Sequence, residues 1–238
     1  MNFVLTKNDD VQILTNKDFV NTQDNLIYKV ALFIKNRYKV KNSVAVKLQK
    51  NIPVAAGLGG GSSNCAVTIT ALSDLWELNL SEKEKHDIAA EFGSDINFFL
   101  TEGCAIGKGR GENITLIDPI QFDNIFLVNP GFEISSKEAY KILDLNANTK
   151  NCYDDLLLCQ DSKYCYNRLE NKICEKYPEI KEIINYLKDN GARNAILSGS
   201  GATVIGFCSD KETADNFSKY YSKKQYWNCI TKTIRSSK

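Results

Sequence analysis

A glycine-rich run over residues 53–64 constrains this chain more than any other feature of its sequence. It reads Pro-Val-Ala-Ala-Gly-Leu-Gly-Gly-Gly-Ser-Ser-Asn, with glycines at Gly57, Gly59, Gly60 and Gly61. These glycines let the backbone take positive φ and come close to a ligand, with successive N–H groups turned toward one point. The helical pattern that follows would add unpaired first-turn N–H groups and the positive end of a dipole. The run therefore predicts a phosphate-binding loop.

The run fits neither of the two commoner nucleotide-binding motifs. A Walker loop needs lysine and then serine or threonine after its last glycine, and Gly61 is followed by Ser62 and Ser63. A Rossmann loop needs a glycine at the sixth position counted from Gly57, where Ser62 stands. The remaining alternative is a glycine-rich hairpin or linker without a ligand. Such segments seldom lead straight into a regular helix.

Composition excludes several classes of partner. The 238 residues carry 30 basic and 29 acidic side chains, so the formal net charge is +1 and no strong field favours nucleic acid or anionic lipid. Apolar runs such as 125–128 and 195–197 are far too short to span a membrane, and the first residues lack a secretory core. We therefore expect a cytoplasmic protein with a small-molecule substrate and no nucleic-acid or membrane partner. The oligomeric state stays open.

Cysteine and histidine usage narrows the chemistry further. The eight cysteines form no Cys-x-x-Cys pair, so we expect reduced, mostly structural thiols. The single histidine, His86, lies in a charged helical stretch and is expected to be a solvated surface residue. A Ser-His-Asp triad is therefore excluded.

The pattern before residue 118 predicts alternating strands and helices around the glycine run. We expect a strand over 11–14, a helix over 26–38 and a strand over 44–48. A helix should then begin at Ser62, with serine or asparagine near its cap and an apolar stripe at Ala66, Ile69, Leu72, Leu75 and Trp76.

Two further signals delimit the next helix. Ser81 and Glu84 have the spacing of a capping box, and Gly93 is expected to end the helix.

The pattern changes after residue 118 and predicts a second lobe. Pro178 should start a helix that buries Ile180, Ile183, Ile184 and Leu187 and ends at Gly191. The other expected elements are a strand over 125–128, a helix over 136–143, a strand over 202–207, a helix over 211–221 and a strand over 227–234. This order suggests an α+β lobe resembling a split βαβ sandwich.

Two short segments outside the run carry residues suited to phosphoryl transfer. Asp95 stands between Gly93 and the apolar run of Ile96, and we expect it to be partly desolvated, where it could deprotonate a hydroxyl. Taken alone, an aspartate in this setting is more often a cap or turn residue. The second segment, Ser198-Gly-Ser-Gly-Ala202, is equally compatible with a plain β-turn and with a ligand contact.

All three segments, in this order, resemble the three motifs of the GHMP kinases, the superfamily of galactokinase, homoserine, mevalonate and phosphomevalonate kinases. The triple glycine followed by Ser-Ser-Asn, and the sequence Gly-Ser-Asp-Ile-Asn-Phe-Phe, are most similar to the branch that phosphorylates a cytidyl diphosphate sugar alcohol for isoprenoid biosynthesis. The resemblance implies a two-lobed α+β GHMP-kinase fold. Residues 1–117 would form the ATP-binding lobe with its βαβ phosphate loop, and residues 118–238 a ferredoxin-like sandwich.

The resemblance also implies roles for single residues. Asp95 would be the base that takes the proton from the 2-hydroxyl of the erythritol, with ATP as phosphoryl donor and Mg²⁺ near Ser62 or Ser63. Asn25, Lys50 and Asn64 would lie by the adenine. The full ATP site would comprise Asn25, Lys50, Pro53, Val54, Ala55, Ala56, Gly57, Leu58, Gly59, Gly60, Gly61, Ser62, Ser63 and Asn64. The substrate site would comprise Ser136, Tyr140, Gly199 and Gly201, with Tyr140 stacked on cytosine unless it is a core residue.

One motif of the family has no counterpart here. Members carry a lysine-containing strand and a Gly-Tyr-His segment near the N-terminus, and that lysine partners the catalytic aspartate. We therefore expect an N-terminal lobe truncated at its start, through a late start or a decayed gene. Three alternatives stay open: an active kinase, a catalytically impaired nucleotide-binding relative, and a GHMP kinase for another small alcohol.

Overall fold

The computed structural model describes residues 1–7, 10–16, 22–101, 103–109, 111, 113–142 and 153–234. Position 143, the expected end of one helix, and Cys152 lie outside these residues. The chain divides into two compact units: Met1–Ile52 with Gly59–Asp118, and Pro53–Leu58 with Pro119–Lys238. None of the described helices is long and apolar enough to cross a membrane.

In its described residues, the first unit combines a three-stranded sheet, four α-helices and a hairpin. Its elements are β1 (Asn2–Thr6), β2 (Gln12–Thr15), α1 (Leu26–Arg37), β3 (Ser43–Leu48), α2 (Gly60–Leu75), α3 (Glu82–Phe92), α4 (Ile96–Leu100), β4 (Cys104–Lys108) and β5 (Asn113–Ile117). The central strand β3 pairs antiparallel with β1 and parallel with β2, while β4 and β5 form an antiparallel hairpin. The predicted βαβ unit is therefore β2–α1–β3, and the glycine run follows it.

The core of the first unit follows the apolar periodicity of the sequence. Val44, Val46 and Leu48 alternate along β3, and each is buried. Of the predicted stripe, Ala66, Ile69 and Leu72 on α2 and Trp76 at its C-cap are buried, and Leu75 packs at the edge of the same core. Because the apolar faces of β3 and α2 are buried, α2 is packed firmly against the core of the first unit. The start of α2 is thereby held in place.

The predicted end signals of α3 are confirmed. The Ser81 hydroxyl accepts a hydrogen bond from the backbone N–H of Glu84, and the Glu84 carboxylate accepts one from the backbone N–H of Ser81. Gly93 caps the helix at its other end. The sequence missed β1, α4 and the β4–β5 hairpin. In β1 the adjacent residues Val4 and Leu5 are both exposed, so the strand lacks the alternation that would have revealed it.

The second unit is an antiparallel sheet with helices in the order of a ferredoxin-like fold. Its elements are β6 (Ile125–Asn129), α5 (Ser136–Lys141), α6 (Tyr153–Cys159), α7 (Glu170–Lys176), α8 (Pro178–Asp189), β7 (Ala192–Leu197), β8 (Val204–Cys208), α9 (Lys211–Lys223) and β9 (Trp227–Thr231). The sheet order is β7-β8-β6-β9, and every pair is antiparallel. This confirms the predicted ferredoxin-like sandwich.

The core of the second unit holds its sheet against α8 and α9. Ile180, Ile183, Ile184 and Leu187 of α8 are all buried, as the spacing predicts. β7 and β8 are joined by the glycine turn, in which the Ser198 N–H donates to the Thr203 carbonyl at 2.8 Å. The turn is therefore anchored at both ends by strands that pack in the core.

Candidate active site

The start of α2 differs from the sequence prediction. The helix begins at Gly60, not at Ser62, and its N-cap is Gly59, with φ 63° and no capping side chain. Ser62 lies in the first turn of the helix instead of at its cap. The Ser63 N–H donates to the Gly59 carbonyl at 2.9 Å, and this bond closes the first turn.

Two of the four glycines use the positive φ that glycine permits. Only Gly57 and Gly59, at 72° and 63°, have positive φ, because Gly60 and Gly61 are helical. Within the described chain, the N–H groups of Gly60, Gly61 and Ser62 make no hydrogen bond. These N–H groups are the free donors in the first turn of a 16-residue helix. Such a helix start is a suitable binding site for an anion.

Hydroxyl groups surround this helix start. The Ser63 hydroxyl donates to the Gly60 carbonyl at 3.2 Å. The Ser62 hydroxyl has no partner in the described part of the chain and is available to a ligand.

Lys50 also lies beside the start of α2, on the segment between β3 and the glycine run. Its backbone is held by Asn16, whose amide oxygen accepts from the Lys50 N–H at 2.7 Å and whose amide nitrogen donates to the Lys50 carbonyl at 3.4 Å. The side chain is 6% exposed. Burial lowers the pKa of its ammonium below the ordinary value. A Cβ added to Gly60 would lie 2.6 Å from the Lys50 Nζ, so the ammonium contacts the first turn of α2.

Asn25 serves as the N-cap of α1. Its side-chain oxygen accepts a hydrogen bond from the Ile27 N–H at 3.0 Å. The next residue, Leu26, has its Cδ1 3.6 Å from where a Cβ on Gly61 would lie. The start of α1 thus adjoins the start of α2.

Asp95 precedes α4 and is exposed, which contradicts the expected partial desolvation. Ile96 is buried in the core, whereas Asp95 belongs to the turn before the helix, so the apolar neighbours do not enclose the carboxylate. Ser94 donates a long hydrogen bond of 3.5 Å to the Asp95 Oδ1. A Cβ on Gly111 would lie 3.3 Å from the same oxygen, so the carboxylate lies beside the β4–β5 turn.

Phe99 links α4 to the glycine run, a contact that the sequence did not reveal. A Cβ on Gly59 would lie 2.5 Å from the Phe99 Cζ, so the ring covers the cap of α2. The short helix that follows Asp95 therefore contacts the start of α2. One signal for this contact is present in the sequence, the apolar residues that follow Asp95. That signal does not identify the residues that the aromatic rings contact.

The expectation for His86 is also wrong. The side chain is half-buried, and its Nδ1 lies 3.1 Å from the Asn97 Oδ1. Asn97 is buried in α4, so His86 joins α3 to the helix that follows Asp95. It is a structural residue and not a solvated one.

The first half of the glycine run, Pro53–Leu58, belongs to the second unit and is held by the β7–β8 turn. The Ser198 hydroxyl donates to the Gly57 carbonyl at 2.9 Å. The Thr203 N–H donates to the Ala56 carbonyl at 3.3 Å. A side chain at Gly57 would overlap the Ser198 carbonyl oxygen, so this position requires glycine.

The turn itself contains the predicted glycines. Gly199 and Gly201 have φ of 52° and 87°, a region that favours glycine. Asn167 donates to the carbonyls of Leu197 and Gly199, both at 2.8 Å. The turn therefore supports the loop at Gly57, and a ligand contact of this turn stays a prediction.

The remaining residues that are expected to bind the substrate lie on α5. Tyr140 is 64% exposed, which excludes the alternative of a core tyrosine. Ser136 is exposed, and its hydroxyl lies 3.2 Å from that of Ser200 in the glycine turn. The structure thus brings Ser136 to the turn that contains Gly199 and Gly201.

Comparison with known proteins shows which family combines these features. The GHMP kinases N terminal domain matches residues 25–103, and the GHMP kinases C terminal domain matches residues 154–226. The 4-diphosphocytidyl-2-C-methyl-D-erythritol kinase of Thermodesulfovibrio yellowstonii is 39% identical over 227 residues, which cover 90% of this chain and 79% of that protein. The kinase of the same name from Clostridioides difficile is 38% identical and covers 87% and 73%.

The chain belongs to the 4-diphosphocytidyl-2-C-methyl-D-erythritol kinase family.

Solved structures show the same fold as this GHMP kinase. A crystal structure of 4-(cytidine 5'-diphospho)-2C-methyl-D-erythritol kinase has a TM-score of 0.79 at 22% identity and covers 97% of this chain and 84% of that one. Homoserine kinase from Cytophaga hutchinsonii has a TM-score of 0.75 at 16% identity, with coverage of 98% and 84%. The predicted two-lobed GHMP-kinase fold is confirmed.

The candidate residues divide between the matched regions. Asp95 and residues 53–64 lie within the N-terminal GHMP match, and Gly199 and Gly201 lie within the C-terminal one. Ser136 and Tyr140 lie between the two matches. GHMP kinases are ATP-dependent, so the use of ATP by this family member is supported.

Proposed function

We propose that this chain transfers the γ-phosphoryl group of ATP to the 2-hydroxyl of 4-diphosphocytidyl-2-C-methyl-D-erythritol, a step in the non-mevalonate route to isoprenoid precursors. The relatives that carry this name support the substrate. One structural observation carries the proposal. The helix α4 follows the exposed Asp95 and covers Gly59 with Phe99, so an exposed carboxylate and the start of α2 both adjoin one element.

ATP would bind through the glycine run and the residues next to it. The free N–H groups of Gly60, Gly61 and Ser62 and the dipole of α2 attract phosphate oxygens. The positive φ of Gly57 and Gly59 lets the loop approach the phosphates closely. We assign residues 53–64, with Asn25 and Lys50, to the ATP site.

Asp95 would act as the general base. Its carboxylate accepts the proton of the 2-hydroxyl as the oxygen of that group forms a bond to the γ-phosphorus. The bond between this phosphorus and the β–γ bridging oxygen breaks, and ADP leaves with the electron pair. Positioning and electrostatic stabilisation by the loop account for most of the catalysis in such a transfer.

Mg²⁺ fits the hydroxyl groups at the start of α2. The free Ser62 hydroxyl and the neighbouring Ser63 offer oxygen donors, which a hard cation prefers. Among the described residues no cluster of three or more His, Cys, Asp or Glu side chains could hold a metal alone. Ser62 or Ser63 would therefore hold Mg²⁺ together with the phosphates of ATP. When bound, the ion neutralises charge on the transferred group.

The acceptor would bind at α5 and the glycine turn. The exposed ring of Tyr140 is available to stack on cytosine, and Ser136 offers a hydroxyl beside the turn. Gly199 and Gly201 complete this proposed site. Residues 1–117 and 118–238 would act as the two lobes of the enzyme.

We propose that the enzyme acts in the cytoplasm. The net charge of +1 provides no general attraction to polyanions, which supports a function without a nucleic-acid or membrane partner.

Turnover with a panel of alcohols tests the function. The purified chain should form ADP and a phosphorylated product from ATP and 4-diphosphocytidyl-2-C-methyl-D-erythritol, and not from homoserine or mevalonate. ATP binding without transfer to any of the three would instead identify a catalytically impaired relative. Equal turnover of an alcohol that lacks the cytidyl group would identify a GHMP kinase for another acceptor.

A further inference from the structure

We infer that His86 is a positioning residue for the proposed base Asp95, and that it acts through the side chain of Asn97. The inference rests on the proposed function in one respect, that Asp95 takes the proton of the acceptor hydroxyl. It gives a role in the reaction to the single histidine of the chain, which lies on α3, before the turn that carries the carboxylate.

The first argument is that Asp95 does not fix its own carboxylate. Among the described residues, only the Ser94 hydroxyl donates a hydrogen bond to it, at a long 3.5 Å. The Asp95 side chain is exposed and makes no capping bond to α4. A general base must nevertheless lie within hydrogen-bond reach of the proton that it takes. The place of this carboxylate therefore depends on the helix that follows it.

The second argument is that α4 depends on its neighbours for its own position. The helix has five residues, and a helix this short is not stable without packing. It packs on α2 and α3, and its first residue, Ile96, is buried in the core. The His86 Nδ1 lies 3.1 Å from the Asn97 Oδ1. This bond joins the middle of α3 to the first turn of α4, so it closes the segment that contains Asp95.

The third argument is the chemistry of the pair. Asn97 is the one polar residue of α4 and is 5% exposed, although the other four residues of this helix are apolar. A buried amide is costly unless it is hydrogen-bonded. Because the Asn97 oxygen can only accept, the His86 Nδ1 donates to it. Apolar packing tolerates several orientations of a short helix, whereas a buried hydrogen bond selects one.

Single-turnover measurements on the full chain, with ATP and 4-diphosphocytidyl-2-C-methyl-D-erythritol, test the inference. His86→Leu removes the donor and should slow transfer by about 10- to 100-fold, because a misplacement of about 1 Å can cost this much. His86→Asn should retain most of the rate, because its amide N–H lies near the position of the Nδ1–H. Lys85→Met is the matched control and should react as wild type does. It removes a half-buried cation of α3 whose partner, Glu82, lies on the same helix at 2.8 Å.

A double-mutant cycle separates the positioning of Asp95 from general damage to the fold. In an Asp95→Asn background, the further change His86→Leu should not lower the residual rate, because the group that His86 positions is already absent. A purely structural role predicts the same fold-loss of rate in both backgrounds.

A second variant answers the question if His86→Leu does not fold. His86→Gln keeps an amide but moves the donor outward by one methylene group. It should therefore slow transfer, whereas His86→Asn should not. Denaturant unfolding of each variant shows whether a lost rate reflects a lost fold.

Each outcome decides the inference. Wild-type rates in His86→Leu and His86→Gln would overturn it, and so would equal losses in the two Asp95 backgrounds. If Asp95→Asn is inactive while the His86 variants react normally, the inference alone fails. If the wild type transfers no phosphate, or if Asp95→Asn transfers it at the wild-type rate, the proposed role of Asp95 fails and the inference fails with it.

Discussion

The Ser198 hydroxyl donates a 2.9 Å hydrogen bond to the backbone carbonyl of Gly57, a residue 141 positions earlier in the chain. With the bond from Thr203 to Ala56, it attaches the first half of the glycine run to a turn between two packed strands. The shape of the loop therefore depends on this turn as well as on its own glycines. A rigid sheet holds a segment whose backbone is intrinsically permissive.

Ser198→Ala should loosen the loop and weaken ATP binding. The substitution leaves the half-buried Gly57 carbonyl without its donor, and an unsatisfied acceptor costs up to about 1–3 kcal/mol when it is shielded from water. We expect ATP affinity to fall by about tenfold, measured by titration. Ser200→Ala is the control, because it removes another buried hydroxyl of the same turn that contacts Ser136 instead of the loop. Equal ATP affinity for the two variants would contradict the supporting role of Ser198.

Phe99→Ala should raise the KM for ATP. The ring covers Gly59 at the cap of α2, so its removal frees the residue that sets the start of the helix. The loss of apolar contact is about 1–2 kcal/mol for a ring that is already 37% exposed.

Phe98→Ala is the matched control for Phe99→Ala. The two rings belong to the same helix and are equally exposed at 37%. Steady-state kinetics of both variants, with unfolding measured in parallel, separates positioning from general stability. The role of Phe99 is refuted if both variants raise the KM for ATP to the same extent.

Helices could be predicted from the sequence where burial of one face imposes a regular spacing of apolar residues. The apolar stripe of α2 and the buried face of α8 were predicted because a helix that packs on one side must repeat every three or four residues. The capping box of Ser81 and Glu84 is likewise a local signal with a local cause. These features depend on neighbours in the chain.

Features that depend on distant residues could not be predicted in this way. Nothing around Lys50 in the sequence says that Asn16 holds its backbone or that its ammonium contacts Gly60. The partner of His86 is Asn97, on another helix, and only the packing of α3 on α4 brings the two together. The exposure of Asp95 also depends on where α4 enters the core.

Glu138 should make stability sensitive to acid. Its carboxylate accepts hydrogen bonds from Lys176 and, at 2.7 Å, from the Tyr177 hydroxyl, which lowers the Glu138 pKa below its ordinary value. A depressed carboxyl pKa stabilises the fold above the unfolded-state pKa of about 4.3, and the effect is lost as pH falls through the folded-state value. Denaturant unfolding between about pH 3 and 6 should show a weaker acid dependence for Glu138→Gln than for wild type. Identical slopes would contradict this prediction.

Tyr140→Ala should weaken the cytidyl substrate and leave ATP affinity unchanged. Stacking of a base on an aromatic ring contributes about 1–3 kcal/mol, so the affinity should fall by about 10- to 100-fold. Tyr140→Phe should retain most of the affinity, because the ring is kept. Tyr166→Ala, which removes another exposed tyrosine of the second unit, is the control. Normal substrate affinity of Tyr140→Ala would remove this residue from the proposed site.

Asp95→Asn should abolish transfer while ATP still binds. The amide preserves the shape of the side chain but cannot accept the proton of the attacking hydroxyl, and loss of a general base costs about 10²–10⁴-fold in rate. Because Asp95 is exposed and caps no helix with its side chain, the variant should unfold at the same denaturant concentration as wild type. Asp87→Asn, an exposed aspartate of α3, is the control for a lost surface charge and should turn over normally. Single-turnover measurements with saturating ATP then isolate the chemical step. If Asp95→Asn transfers phosphate at the wild-type rate in that assay, the proton must pass to another group or to the phosphate itself.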